Sequence, residues 1–261
     1  MSLIEIKQLW KSFGDQIVLE KLHLNVNEGE FCTLVGASGC GKTTFLRMLL
    51  GEEQQTRGAL LLDGKPMPRE PGPERGIVFQ RYSVFPHLSV LKNVMLGPEL
   101  RESRVLGRVW GEKKSAIRER ALALLEQVGL SAAIHRYPSE LSGGMQQRLA
   151  IAQALIMEPR VLLLDEPFGA LDPGIRADMH VLVRDLWKRN NLTVFMVTHD
   201  LSEAFALGTR LLVFDKVRRD NQAPGAYGAT ITYDLPLDHG ASSVLPEIEA
   251  EVEQTRQLLE Q

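Results

Sequence analysis

The stretch FCTLVGASGCGKTTFLRMLL, residues 31–50, decides the fold. The apolar run from Phe31 to Val35 predicts a buried strand, and the helical run after it opens at Lys42 or Thr43. Between them, Gly36-Ala37-Ser38-Gly39-Cys40-Gly41-Lys42-Thr43 fits the pattern G-x-x-x-x-G-K-[ST] of a phosphate-binding P-loop. Glycine lets the backbone curl close to a phosphate, so that successive N–H groups point at its oxygens. The helix start adds unpaired donors and the positive end of its dipole. Lys42 then reaches the β- and γ-phosphates, and the Thr43 hydroxyl can ligate Mg²⁺. Strand, turn and helix in this order predict a site for a nucleoside triphosphate.

The 261 residues suffice for one large α/β domain with a subdomain. A net charge of −3 argues against a general nucleic-acid binder, which carries a basic excess. Cys32 and Cys40 are too close in the chain for a useful structural bridge, which suits a reducing compartment. The opening MSLIEIKQLW lacks the basic region and apolar core of a secretory signal. No apolar run approaches the ~18 residues of a membrane span. The expectation is that any membrane crossing belongs to another chain.

Residues 1–30 alternate apolar and polar side chains, with breaks at Gly14-Asp15 and Glu28-Gly29, as short antiparallel strands do. Gly58 to Gly64 reads as a strand with a tight turn, and Lys65 to Arg75 as a proline-rich loop. Gly76 to Gln80 is a short buried strand ending in an amide. Residues 87–137 show helical spacing, with Ala121, Leu124, Leu125 and Val128 on one face, which predicts a helical subdomain inserted in the sheet. Within it the basic stretch 101–114 reads as a solvated loop, ahead of a contact with lipid head groups or a partner. Further strands are expected from Arg160 to Leu164 and from Thr193 to Thr198, with a helix through Leu182 to Lys188 between them. Beyond Asp215 the core pattern ends. A strand near Ala229 to Tyr233 and helical spacing over 244–259 are all that the tail offers.

Chemistry-bearing residues collect at the ends of these elements. Ser142 is a natural N-cap before Gly143 and Gly144, a second arrangement offering backbone donors to phosphate. Asp165, at a strand end, is placed to hold Mg²⁺ through water, and Glu166 is free to orient or deprotonate a water. His199 ends another strand of the same topology. Gln80 is either a plain strand-end residue or a partner of Mg²⁺ or the attacking water. Phe13 is either a staple on its turn or a stacking surface for a base.

Taken together, residues 1–215 resemble the ATP-binding subunit of an ABC transporter. The P-loop at 36–43, Gln80, LSGGMQQR at 141–148, VLLLDEP at 161–167, ALD at 170–172 and His199 carry the resemblance. It implies an α/β fold of the P-loop ABC ATPase type, with a parallel-sheet core, an N-terminal antiparallel β subdomain and an inserted α-helical subdomain at about 81–157. Residues 216–261 would form a C-terminal extension. The implied ATP site comprises Phe13, Gly36, Ser38, Gly39, Cys40, Gly41, Lys42, Thr43, Thr44, Gln80, Ser142, Gly143, Gly144, Gln147 and Asp165. Thr43, Gln80 and Asp165 would meet Mg²⁺, Glu166 would be the general base, and His199 would contact the γ-phosphate.

The implied partners are a second copy in a head-to-tail dimer, an integral-membrane permease and, indirectly, an external solute-binding protein, with no nucleic acid. The implied place is the cytoplasmic face of the inner membrane, and the implied work is ATP-driven import of a small polar solute. The wording of EGEFCTLVGASGCGKTT, GIVFQRYSVFP and DEPFGALD is similar to the nitrate/sulfonate/taurine importers. Gln153 and Thr209 depart from the arginine and aspartate usual there. An ABC-type ATPase of DNA repair or translation would carry a long coiled coil or a second ATPase domain. A P-loop kinase or GTPase would lack LSGGMQQR.

Overall fold

Alternation builds the first strands. Along β2 (Gln16–Asn27), Leu22, Leu24 and Val26 are buried while Lys21, His23 and Asn25 are exposed. Each fully buried aliphatic side chain contributes about 1.5–3 kcal/mol, so a one-residue slip would turn all three outward. β2 pairs antiparallel with β1 (Ser2–Phe13) across the Gly14-Asp15 turn. β1 pairs on its other side with β4 (Arg57–Leu62), and β5 (Lys65–Pro66) completes the order β2-β1-β4-β5. The computed structural model describes residues 2–80, 83–103, 109–218, 220, 222–223 and 225–237.

The chain divides into two compact units, Met1–Gly72 with Asn190–Gln261, and Pro73–Arg189. The first holds the antiparallel sheet and a parallel one. β3 (Phe31–Gly36) lies between β8 (Thr193–Val197) and β9 (Arg210–Asp215), parallel to both. All five β8 residues are buried, as expected of a strand covered on both faces. α1 (Lys42–Leu50) packs on them through Phe45, whose ring lies 6.2 Å from Phe195 and 5.4 Å from Phe214. β10 (Thr230–Pro236) runs antiparallel to β9, and Arg210 secures it with bonds of 2.6 and 2.7 Å to the two oxygens of Asp234.

The second unit holds the parallel pair β6 (Arg75–Val78) and β7 (Val161–Asp165) with helices α2 (Val90–Glu102), α3 (Gly111–Gln127), α4 (Gly143–Leu155) and α5 (Pro173–Asn190). The expected parallel core, antiparallel sheet and helices are all present.

Several boundaries differ from expectation. The stretch 101–114 is not one loop: Arg101 and Glu102 end α2, and Gly111 to Lys114 open α3, while 104–108 lie outside the described residues. Charges on the solvated face of a helix look like loop composition. α5 starts at Pro173, well before Leu182; proline at the first helical position is favoured, but its first turns lack an apolar stripe. β6 ends at Val78, so Gln80 lies beyond the strand. The expected tail helix at 244–259 falls outside the described residues.

Candidate functional site

In the first unit the P-loop joins β3 to α1, and two glycines are forced by geometry. Gly36 has φ 144°, and a Cβ there would meet the Phe214 carbonyl oxygen at 2.1 Å. Gly41, the N-cap of α1, has φ 94°, and its Cβ would meet Leu19 Cδ2 at 2.7 Å and Val18 Cγ1 at 2.9 Å. The loop is thus wedged between the end of β9 and the start of β2, with its backbone donors gathered at the helix start. Lys42 is buried, and its Nζ donates to the carbonyls of Gly36 at 2.7 Å and Ala37 at 2.9 Å. Ser38, Gly39 and Thr43 are exposed, and Thr44 is half-buried.

His199 follows β8, at the same carboxyl edge as the P-loop, because β8 and β3 are parallel neighbours. The imidazole-bearing residue is exposed, and its backbone is anchored on both sides. The Thr198 hydroxyl donates to Glu203 Oε2 at 2.5 Å and accepts from the Asp200 amide at 3.0 Å. Asp200 caps α6 (Leu201–Leu207) by accepting from the Glu203 amide at 3.2 Å. Phe13 ends β1 opposite Gln16 and is 46% exposed, with Lys11 Nζ 4.4 Å from its ring centroid.

Lys42 lies 3.6 Å from the sulfur of Cys40, and its charge acts to lower the thiol pKa. Burial outweighs it, and the Cys40 thiol is pushed up. Cys32 is raised too, by burial and then by the charge of Glu30. Both are free and buried.

In the second unit β6 and β7 are parallel neighbours, with Val78 opposite Leu164, so Gln80 and Asp165 share a carboxyl edge. Gln80 Nε2 comes within 3.8 Å of the Cβ position of Gly169, on the turn that Glu166 closes by accepting from the Gly169 amide at 3.4 Å. Glu166 has φ 48°, a left-handed conformation costing a non-glycine residue about 1–3 kcal/mol and concentrated at functional sites.

Ser142 caps α4, its hydroxyl accepting from the Met145 amide at 3.3 Å. Ser142 and Gly143 are exposed, while Gly144 packs against α5, where a Cβ would meet Ile175 Cγ2 at 2.6 Å. Gln147 does not join them. It is fully buried, and neither polar atom of its amide has a hydrogen-bond partner.

Sequence reasoning missed Asn93. This buried residue of α2 receives the Phe85 amide at 2.8 Å and donates to the carbonyls of Phe85, Leu88 and Ser89, shaping the loop that follows Gln80. Its signal was a lone amide among Val90, Leu91 and Val94. Gln153 donates to its Oδ1 at 3.2 Å, a neutral link in place of an ion pair. Thr209 likewise accepts from the Phe31 amide at 2.9 Å.

The chain is 43% identical over 215 residues to the spermidine/putrescine import ATP-binding protein PotA of Legionella pneumophila (strain Paris), covering 82% of this chain and 57% of that protein. It is 44% identical over 212 residues to the Fe(3+) ions import ATP-binding protein FbpC of Brucella abortus (strain 2308), covering 80% and 58%. It therefore spans little more than half the length of these curated relatives. A solved dimeric ATP-binding cassette in a post-hydrolysis state, bound to ADP and Pi, is similar with a TM-score of 0.70 at 30% identity, covering 90% of this chain and 99% of that one. Residues 19–169, which hold the P-loop, Gln80, the Ser142 segment and the Asp165-Glu166 strand end, match the model described as ABC transporter. The chain belongs to the ABC transporter family.

Proposed function

We propose that this chain is the ATP-hydrolysing subunit that powers import of a small polar solute through a separate permease. The observation that carries the reading is the P-loop itself. Left-handed glycines gather backbone donors at the start of α1, and the buried Lys42 ammonium is held at the same turn. Phe13 offers a face to the base, Gly36 to Thr44 the donors for phosphate, and His199 a contact to the γ-phosphate. Ser142, Gly143 and Gly144 supply a second set of helix-start donors, which a partner copy in a head-to-tail dimer would present to the nucleotide. Residues 1–215 would be the ATPase domain, with the helical subdomain at about 81–157 and an extension from 216.

Thr43 in the first unit and Gln80 and Asp165 in the second each carry an oxygen donor, the kind that Mg²⁺ takes. These residues would hold the ion, which would supply charge to neutralise the β- and γ-phosphates. Glu166 is the general base that removes a proton from the attacking water, and its left-handed backbone is of the kind concentrated at functional sites.

No helix among the described residues is long and apolar enough to cross a membrane. The subunit would dock on a permease at the cytoplasmic face of the inner membrane. An external binding protein would deliver the solute. The wording of the motifs favours the nitrate/sulfonate/taurine group, whereas the relatives above are named for polyamines and ferric ions. Import of a small polar solute is the class we carry forward.

Glu166→Gln tests the reading. The amide keeps the shape but accepts no proton, so hydrolysis should fall by ~10²–10⁴-fold while ATP binding persists. An ATP-bound dimer should accumulate on sizing columns. Hydrolysis at the wild-type rate would remove Glu166 as the base.

A further inference from the structure

Beyond β9 the chain returns to the antiparallel sheet and follows β2 from Gln16 to Glu20. The Ile17 amide donates to the Gly225 carbonyl at 2.9 Å, the Glu20 amide to the Ala229 carbonyl at 2.8 Å, and the Ala229 amide to the Val18 carbonyl at 2.9 Å. The approach is close: a Cβ on Gly228 would meet the Leu19 carbonyl carbon at 2.8 Å. A side-chain clamp reinforces it. The Glu20 carboxylate, in a residue 6% exposed, accepts from the Gly228 amide at 3.2 Å and pairs with the Arg218 guanidinium. Arg218 in turn lies 4.4 Å from the centroid of the Tyr227 ring.

The residues clamped in this way are the ones that touch the P-loop. Val18 and Leu19 close on Gly41 so tightly that a methyl group there would overlap both. At the other end of the clamped stretch, Gln16 packs against Gly225 and stands opposite Phe13 across the hairpin turn. The two ends of the nucleotide site proposed above, phosphate and base, therefore hang on the same five residues of β2. A buried carboxylate is costly without a partner, so the Glu20–Arg218 pair holds only while the returning segment stays in place.

We propose that Glu20 and Arg218 are positioning residues for the bound nucleotide, acting through β2 on Gly41 at one end and Phe13 at the other. Neither touches the ligand. Arg218 and residues 225–229 then form a brace that sets how tightly an adenine nucleotide is gripped. The inference rests on the reading of the P-loop as an ATP site.

The experiment uses the full chain, with MgADP affinity by calorimetric titration, kcat and KM for ATP, and melting temperature measured side by side. Arg218→Ala should weaken MgADP binding and raise KM by roughly three- to tenfold, the range of couplings carried through packed neighbours, with kcat unchanged. Arg218→Lys should recover part of the affinity. Arg218→Ala alone also lowers the melting temperature, because the buried Glu20 carboxylate loses its cation and keeps only the Gly228 amide. The double variant Glu20→Gln with Arg218→Ala removes that charge, and so separates the two effects. It should regain melting temperature while binding stays weak. Affinity that returns together with the melting temperature would overturn the inference, as would wild-type affinity in Arg218→Ala. A wild-type chain that binds no MgADP would instead overturn the site reading itself, and this inference with it.

Discussion

The Lys42 ammonium lies 2.7 Å from the carbonyl oxygen of Gly36, the residue six positions earlier at which β3 turns into the P-loop. The side chain proposed to grip phosphate is therefore held by the loop whose amides would share that task, and it is buried beforehand. Lys42→Met keeps most of the stem and leaves those carbonyls without the ammonium. A charge-assisted hydrogen bond contributes about 1.5–3 kcal/mol, so MgATP affinity should fall by at least ~10-fold. Calorimetric titration checks this, with circular dichroism to show that the fold persists.

The two buried thiols predict a pH dependence. Burial raises both above the ordinary thiol range, so the folded protein keeps protons that the unfolded chain releases near pH ~8.5. Above that pH the folded state binds more protons than the unfolded one, and stability falls as pH rises. Denaturant midpoints at pH 7 and pH 10 should therefore differ more in the wild type than in Cys32→Ala with Cys40→Ala. Maleimide should label Cys40 slowly at neutral pH in the folded protein and rapidly once it is unfolded. Fast labelling of the folded chain at neutral pH would contradict the buried, protonated thiol.

Gln147 buries an amide with no hydrogen-bond partner. Removing such a group relieves a desolvation cost of about 1–3 kcal/mol. Gln147→Met, similar in length and flexible enough to fill the same space, should raise the melting temperature. ATPase rate measured beside it shows whether the buried amide serves turnover.

Lys42→Ala and Ser142→Arg should each be inactive. In a head-to-tail mixed dimer one site carries both lesions and the other none, so mixing the two proteins should restore part of the ATPase rate. The recovery should rise with protein concentration, as an encounter of two subunits requires. Mixing without recovery, in preparations shown to form mixed dimers with ATP, would argue that each site is built within one chain or that the two sites fire only together.

Local pattern made much of the first unit legible. The continuous apolar runs of β3 and β8 have no solvated face, and the glycine turn between β3 and α1 has one plausible geometry. What stayed illegible depends on partners far along the chain. The return of Gly225 to Ala229 to β2 joins residues about two hundred positions apart, and nothing in its own composition names that partner. Gln147 sits in a helix apolar on several sides, so periodicity could not say that it points inward. The sequence places Cys40 two positions from an ammonium, and only the fold shows that burial outweighs that charge. Asn93 was passed over because one amide on an apolar face resembles noise until its acceptors are seen.

The returning segment has one more consequence. In the order β2-β1-β4-β5, β2 has an outer side that no strand of its own sheet covers. The ladder of Gly225 and Ala229 with Ile17, Val18 and Glu20 closes part of that side. A bare strand of this kind is a template for pairing with another molecule. Loss of the segment would therefore show first as association between copies, at protein concentrations where each domain still keeps its own fold.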